Sequence, residues 1–306
     1  MKIIKKYIYQ VLIIFLLALL IFGYSLNKKS SSSKKNEISI FANQLKARNA
    51  QIAIIQKNLF NNGNDVNDLI NKNKINFKKI FENKKLINFF DYNFSKYTTN
   101  DILFNGNLGA IGTAYIDFYN KEKNIFLATY DGIFASSKID DLENFKKIKS
   151  NIRSLINYEK FYLHEQYGIK DILIDNTNLY VSFIGKRQND CYDLRIITSE
   201  LNENYLNFKL FYQTTDCVDT NNDHGFWAHQ GAGGRIVKID NSNLLFSTGD
   251  FRNRPLAQEL KSDFGKILKI NIQNKKTDVV SLGHRNAQGL YYSKKFDFIL
   301  STEHGP

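Results

Sequence analysis

Ile172-Leu-Ile-Asp-Asn-Thr-Asn-Leu-Tyr-Val-Ser182 and Ile236-Val-Lys-Ile-Asp-Asn-Ser-Asn-Leu-Leu-Phe-Ser247 share one form: an apolar strand, an Asp/Asn turn and a second apolar strand. The asparagines suit tight hairpins, because Asn tolerates positive φ better than most side chains. The form recurs, so that residues 113–129, 171–183, 235–248 and 289–302 make a series of four. A recurrence of roughly 50–60 residues is what propeller blades produce, each being too small to bury its own apolar face. An ordinary sandwich of hairpins is the alternative with the same local pattern. Abundant Phe and Tyr (24 and 17) and only 2 Pro also favour strand-rich packing. The expected fold is all-β, a β-propeller.

Working outward, the chain stops at Glu303-His-Gly-Pro306, directly after a strand. Four units are an incomplete ring, so the expectation is a C-terminally truncated propeller lacking about two blades. Towards the N-terminus the texture changes before residue 101. Residues 7–26 are apolar and follow Lys2, Lys5 and Lys6. Roughly 20 such residues suffice for a transmembrane helix. The core at 11–22 also fits a secretory signal peptide. With no small-x-small cleavage pattern and no cysteine for a lipid, an uncleaved signal anchor is the preferred reading. Lys28, Lys29, Lys34 and Lys35 follow the segment, so flanking charge leaves its orientation open.

Residues 27–36 are Ser/Lys-rich and read as a solvated tether. Leu45, Ile52, Ile55 and Leu59 fall near helical spacing, and residues 61–100 read as short helices or loop. The expected organisation is a membrane anchor at 1–26, a tether and helical spacer at 27–100, and a propeller at 101–306.

The net charge of +12 is unevenly spread: residues 1–100 hold 17 Lys or Arg against 5 Asp or Glu, which is the whole excess. A nucleic-acid binder usually carries its basic patch on the folded domain, and here that region is neutral. Lipid headgroups or topology explain the excess better. The 2 cysteines, Cys191 and Cys217, lie at the two ends of a segment with hairpin character, 192–198 and 206–212. Pairing those strands would bring the sulfurs together, and a disulfide would imply an oxidising compartment; two unrelated thiols are the alternative.

The densest polar cluster is Asp223-His-Gly-Phe-Trp-Ala-His-Gln-Gly-Ala-Gly-Gly-Arg235. Glycines allow close backbone approach to a ligand, and His224 and His229 carry side chains that act as bases near neutral pH. A structural turn explains the same residues, and neither histidine has a metal-ligand partner at diagnostic spacing. Ser247-Thr-Gly-Asp250 ends the strand that begins at Arg235, so the hairpin returns Asp250 towards His229. There a carboxylate would fix the imidazole tautomer, or it would cap local backbone N–H groups. Gly283-His-Arg-Asn-Ala-Gln-Gly-Leu290 sets planar and amide donors between apolar strands. Glu303-His-Gly-Pro306 offers carbonyls that suit a hard cation.

In this order the segments resemble the PQQ-dependent soluble glucose and aldose sugar dehydrogenases, the glucose/sorbosone dehydrogenase domain family. The series is His229 with Gly234-Arg-Ile236, then Thr248-Gly-Asp250, Gly265-Lys-Ile-Leu-Lys-Ile-Asn271, Gly283–Leu290 and Glu303–Pro306. The likeness is close over 225–306 and loose over 105–220. It implies a six-bladed propeller with PQQ and calcium in a cleft at its top. His229 is the implied general base for hydride transfer from a sugar or related alcohol, and Asp250 its orienting partner. Arg285, Asn286 and Gln288 are implied cofactor contacts. Asn107 is a shorter stand-in for a first-blade Gln, and Gly305 and Pro306 are implied carbonyl donors to calcium. Ala287 stands where the family usually has proline, and the loop after His229 is longer at 231–234. Later blades would supply further Lys and Arg contacts, so the piece alone is not expected to be active. The full expectation is a membrane-anchored, periplasmic or otherwise extracytoplasmic quinoprotein with an unidentified electron acceptor. A non-catalytic binding propeller that has lost the cofactor is the alternative. A calcium-dependent hydrolase on a similar scaffold fits the His-Arg-Asn-x-Gln cluster less well.

Overall fold

The computed structural model describes residues 74–87, 90–98, 114–130, 132–156, 168–187, 191–219 and 231–304. Strand β1 (Lys74–Asn76) comes first, followed by a hairpin of β2 (Lys78–Ile87) and β3 (Phe90–Thr98). Strands β4 (Ala114–Tyr119), β5 (Asn124–Thr129), β6 (Phe134–Lys138) and β7 (Asn144–Ser150) form an antiparallel meander, and β1 pairs with the outer edge of β7. The second sheet runs β8 (Ile169–Asp175), β9 (Asn178–Lys186) and β10 (Cys191–Glu200). After the short β11 (Tyr205–Leu206), which pairs with β7, it is completed by β12 (Lys209–Gln213). β13 (Val218–Asp219) adds to β10 beside the disulfide. The third sheet is β14 (Gly233–Lys238), β15 (Asn243–Thr248), β16 (Lys266–Asn271) and β17 (Thr277–Leu282), with the short helix α1 (Arg254–Gln258) between β15 and β16. A last hairpin joins β18 (Ala287–Ser293) to β19 (Phe298–Glu303).

All four sequence-derived hairpins are present. In the second sheet Asp175 pairs with Asn178, so Asn176 and Thr177 make a two-residue turn, and Asn176 takes a φ of 54°. In the third, the Asp240 carboxylate accepts the Ser242 N–H at 2.6 Å and closes the turn by side-chain capping instead.

Period-two alternation explains the packing. On β9, Leu179, Val181 and Phe183 point into a core shared with Phe126, Phe134 and Ile148 of the first sheet. The alternate residues Tyr180 and Ile184 join Ile236, Leu244, Phe246 and Leu268 of the third. The middle sheet is thus apolar on both faces, and each fully buried large side chain contributes about 1.5–3 kcal/mol. The first strands of successive sheets, β4, β8, β14 and β18, contact one another in turn. That is the arrangement of innermost strands in a propeller.

Polar ties repeat from sheet to sheet. Asp117 on β4 accepts the Ile174 N–H at 2.6 Å, and Asp171 on β8 accepts the Ile236 N–H at 2.8 Å. Ser182 on β9 donates to Gly234 O at 2.5 Å, and Ser247 on β15 donates to Ala287 O at 2.8 Å. These two serines close the two stretches whose likeness first indicated repeats.

One expectation needs correction. Residues 74–76, 78–87 and 90–98 are strands, not part of a helical spacer. The alternation of Phe90, Tyr92 and Phe94 with Asp91, Asn93 and Ser95 has the period of a strand, and Lys74–Asn76 belongs to the first sheet although it precedes residue 101. Among the described residues no helix is long and apolar enough to cross a membrane. The apolar segment at 7–26 and the 41–60 stretch lie outside them.

Candidate functional site

Cys191 and Cys217 form a disulfide with Cα atoms 5.6 Å apart. It joins the start of β10 to the segment leading into β13. β10 pairs with β12 as the sequence predicts, with Ile196 opposite Tyr212. Between them the Asp193 carboxylate is fully buried, and it accepts from Arg187 Nε and Arg195 Nε at 2.6 Å and from Gln213 Nε2 at 2.7 Å. These charges are spent on structure, away from the cleft.

A cleft of about 280 Å³ opens where β14 and β18 begin and β15 and β19 end. Gly231, Ala232 and Gly233 give it a stretch of backbone lining, and the chain packed behind them is tight. The N–H of Gly249 donates to Ala232 O at 2.6 Å and that of Gly265 to Gly249 O at 2.9 Å. A Cβ on Gly249 would lie 1.6 Å from Gly231 O, so no side chain fits there. Gly265 has a φ of +67°, and a Cβ on it would meet Ala257 at 2.4 Å. Lys266 follows Gly265 as the first residue of β16. Its buried ammonium donates to the carbonyls of Leu256, Ala257 and Phe264 at 2.9, 2.9 and 2.7 Å, closing the end of α1.

Asp250, Arg285, Asn286 and Gln288, singled out from sequence, all line this cleft. The Asp250 carboxylate is buried and accepts the Arg252 N–H at 2.7 Å, which is the capping role; its own N–H donates to Arg285 O at 2.9 Å. Burial pushes the Asp250 carboxyl up, and the Arg252 N–H with the charges of Arg285, Arg254 and Arg252 pulls it back only in part. Asn286 accepts the Gly233 N–H at 3.1 Å through Oδ1, which turns its amide nitrogen into the group available to a ligand. Gln288 stands exposed at the rim, and its carbonyl accepts from Arg235 Nε at 2.6 Å. His229, Asn107, Gly305 and Pro306 lie outside the described residues.

Three further residues line the cleft that sequence reading did not select: Lys170, Arg252 and His304. Lys170 reaches it from β8 over β14, because Gly234 has no side chain; a Cβ there would lie 2.4 Å from Lys170 Cβ. Arg252 is placed by a strained turn. Phe251 and Arg252 both adopt left-handed backbone, with φ of 51° and 64°. Phe251 is held by complete burial edge-on against Phe264, and its N–H donates to Gly231 O at 3.2 Å. Two consecutive non-glycine residues in that region cost about 1–3 kcal/mol each and persist where the surroundings over-determine them.

A family model described as Glucose / Sorbosone dehydrogenase matches residues 125–306. The chain belongs to the glucose/sorbosone dehydrogenase family. Its fold is similar to that of a solved glucose dehydrogenase (21% identity, TM-score 0.51, covering 63% of this chain and 57% of that one). A second structure named glucose dehydrogenase gives 20% identity and a TM-score of 0.50, with 63% and 61% covered. The apo form of the soluble aldose sugar dehydrogenase from Escherichia coli gives 17% and 0.50, with 63% and 57% covered. The chain therefore spans about three-fifths of the length of these structures. The comparison with curated proteins found no match.

Within this glucose/sorbosone dehydrogenase domain the cleft suits an anionic ligand. Lys170, Arg252 and Arg285 oppose the single carboxylate of Asp250, and the Asn286 amide adds a donor. PQQ, a flat tricarboxylate, has that chemistry. For calcium, the implied carbonyls of Gly305 and Pro306 are outside the described residues. Among the described residues no cluster of three or more His, Cys, Asp or Glu side chains forms a metal site.

Proposed function

We propose that the protein oxidises a sugar or related alcohol by hydride transfer to PQQ, assisted by calcium, with His229 as general base. The observation that carries this reading is the convergence of Lys170, Arg252, Arg285 and the Asn286 amide on one cleft, inside the stretch that the family model matches. PQQ supplies a quinone that accepts hydride, and calcium a Lewis acid that polarises it. The protein's own groups do the rest. Arg285 and Asn286 would donate hydrogen bonds to the cofactor's oxygens, while Lys170 and Arg252 would balance its carboxylates. Gln288 and Asn107 would complete the contacts, and the Gly305 and Pro306 carbonyls would hold the calcium. His229 would take the hydroxyl proton of the substrate, and Asp250, whose Oδ1 caps the Arg252 N–H, would orient the ring through its other oxygen.

The Cys191–Cys217 disulfide supports an oxidising, extracytoplasmic compartment, to which the 7–26 segment would anchor the domain. The test is to titrate the full-length gene product with PQQ in calcium and to assay dye reduction over a panel of aldoses and alcohols. PQQ uptake with sugar-dependent reduction is expected, and His229→Ala keeps uptake while losing turnover. A protein that takes up no PQQ would be a binding propeller instead. For the compartment, a reporter fused after residue 40 that is active only in the cytoplasm would reverse the topology.

A further inference from the structure

The edge of the cleft formed by Arg285 and Asn286 is held by a side chain that is not among the lining residues. Glu303, the last residue of β19, accepts the Arg285 N–H through Oε2 at 3.0 Å, and the same oxygen lies 3.5 Å from the Asn286 nitrogen. Its other oxygen, Oε1, pairs with His284 Nδ1, and His284 Nε2 meets Ser281 Oγ at 2.9 Å. The backbone of the tripeptide is tied as well: His284 N–H to Gly265 O at 3.0 Å, Arg285 O to the Asp250 N–H at 2.9 Å, and Asn286 O to the His304 N–H at 3.2 Å. Both oxygens of Glu303 are therefore engaged by the loop and by His284, and Glu303 is not among the residues that line the cleft.

We infer that Glu303 is a positioning residue for the cleft, with His284 holding it in turn. Its carboxylate accepts from the peptide that carries Arg285 and Asn286, so it sets where both side chains project. An arginine fork rewards such placement, since its paired donors match an anion only in a narrow range of orientations. Ser281 is the far end of the chain, buttressing the imidazole from β17. This inference rests on the reading of the cleft as a PQQ site, but its test does not depend on that reading alone.

Two variants decide it. Glu303→Ala removes both acceptors, whereas Glu303→Gln keeps an acceptor for the Arg285 N–H and lets His284 meet the new amide through its other tautomer. In Glu303→Ala, PQQ affinity by fluorescence titration falls about 10- to 100-fold, the usual effect of losing a group that orients a ligand-binding residue. Amide exchange in the 284–288 peptide accelerates by at least about tenfold on the same grounds, while peptides in β15 and β16 keep the wild-type rate. Glu303→Gln restores most of both. Unchanged affinity and exchange in Glu303→Ala would overturn the inference. So would acceleration spread evenly over the domain, which marks a merely structural residue. If wild-type protein binds no PQQ, the functional reading fails, and local exchange at 284–288 still decides the positioning role.

Discussion

Arg235 reaches Asp171 across neighbouring first strands, its Nη1 lying 2.6 Å from the buried carboxylate. The same guanidinium donates through Nε to Gln288 O at 2.6 Å and sits over the Tyr115 ring at 5.9 Å. One side chain on β14 thus ties together β4, β8 and β18, and it does so at the rim of the cleft. Removing one partner of a largely buried ion pair costs about 3–5 kcal/mol, and partial exposure of Arg235 places its loss near the lower end. Arg235→Met is expected to lower the free energy of unfolding in urea by about 3 kcal/mol. Arg235→Lys is expected to recover less than half of this, because an ammonium lacks the fork that serves Asp171 and Gln288 together.

The Asp171 carboxyl makes stability depend on pH in an unusual direction. Burial raises it to about 6, in spite of the Arg235 charge and the Ile236 N–H. The folded state therefore holds a proton that the unfolded chain has released. Stability from this group is present below the unfolded carboxyl range near pH 4 and falls as pH rises towards 6, by on the order of 3 kcal/mol in all. Asp171→Asn is expected to lack this component. Urea unfolding of both proteins between pH 4 and 7 measures it, and parallel curves would show that the group is not responsible.

Arg252 trades stability for charge in the cleft. Arg252→Gly relieves one left-handed residue and is expected to raise the unfolding free energy by about 1 kcal/mol. The same change removes one of three cations, so on the proposed reading of the cleft PQQ binding is expected to weaken about tenfold, the equivalent of one charge-assisted hydrogen bond. Thermal unfolding and fluorescence titration of the one variant read both effects. A variant that gains stability and binds as before would remove Arg252 from the cleft's chemistry.

Replacing both Cys191 and Cys217 by serine is expected to cost about 2–4 kcal/mol, as for other loops of this size. Strand β13 pairs with β10 beside this link, with Tyr192 opposite Val218. Exchange should therefore rise first at 218 and 219, with β14–β16 unaffected.

The hairpins were legible because each carries its own instructions. Alternating apolar residues and an Asn or Asp turn are local, and so are the motifs that end in Asp250 and begin at Arg285. The outer strands were less so: Asn144–Ser150 is Asn-Phe-Lys-Lys-Ile-Lys-Ser, whose lysines are those of a half-solvated face and hide the buried Phe145 and Ile148. Residues 74–98 hid their alternation in the same Lys/Asn background. Lys170 could not have been found by spacing. It sits between Ile169 and Asp171 as any strand lysine might, and only the missing side chain of Gly234, more than sixty residues away, opens its path to the cleft. Glu303 reads in sequence as part of a turn; its partners are 18 and 19 residues distant and meet it through the β18–β19 register.

The glycine at 249, packed against the Gly231 carbonyl just behind the cleft lining, bears on how such a site can diverge. Any residue larger than glycine at 249 collides with a peptide oxygen rather than with a group that can turn aside. The backbone there can be inherited or destroyed, but not adjusted in steps. Change in what the cleft accepts must then come from side chains that line it, such as Lys170, Arg252, Gln288 and His304.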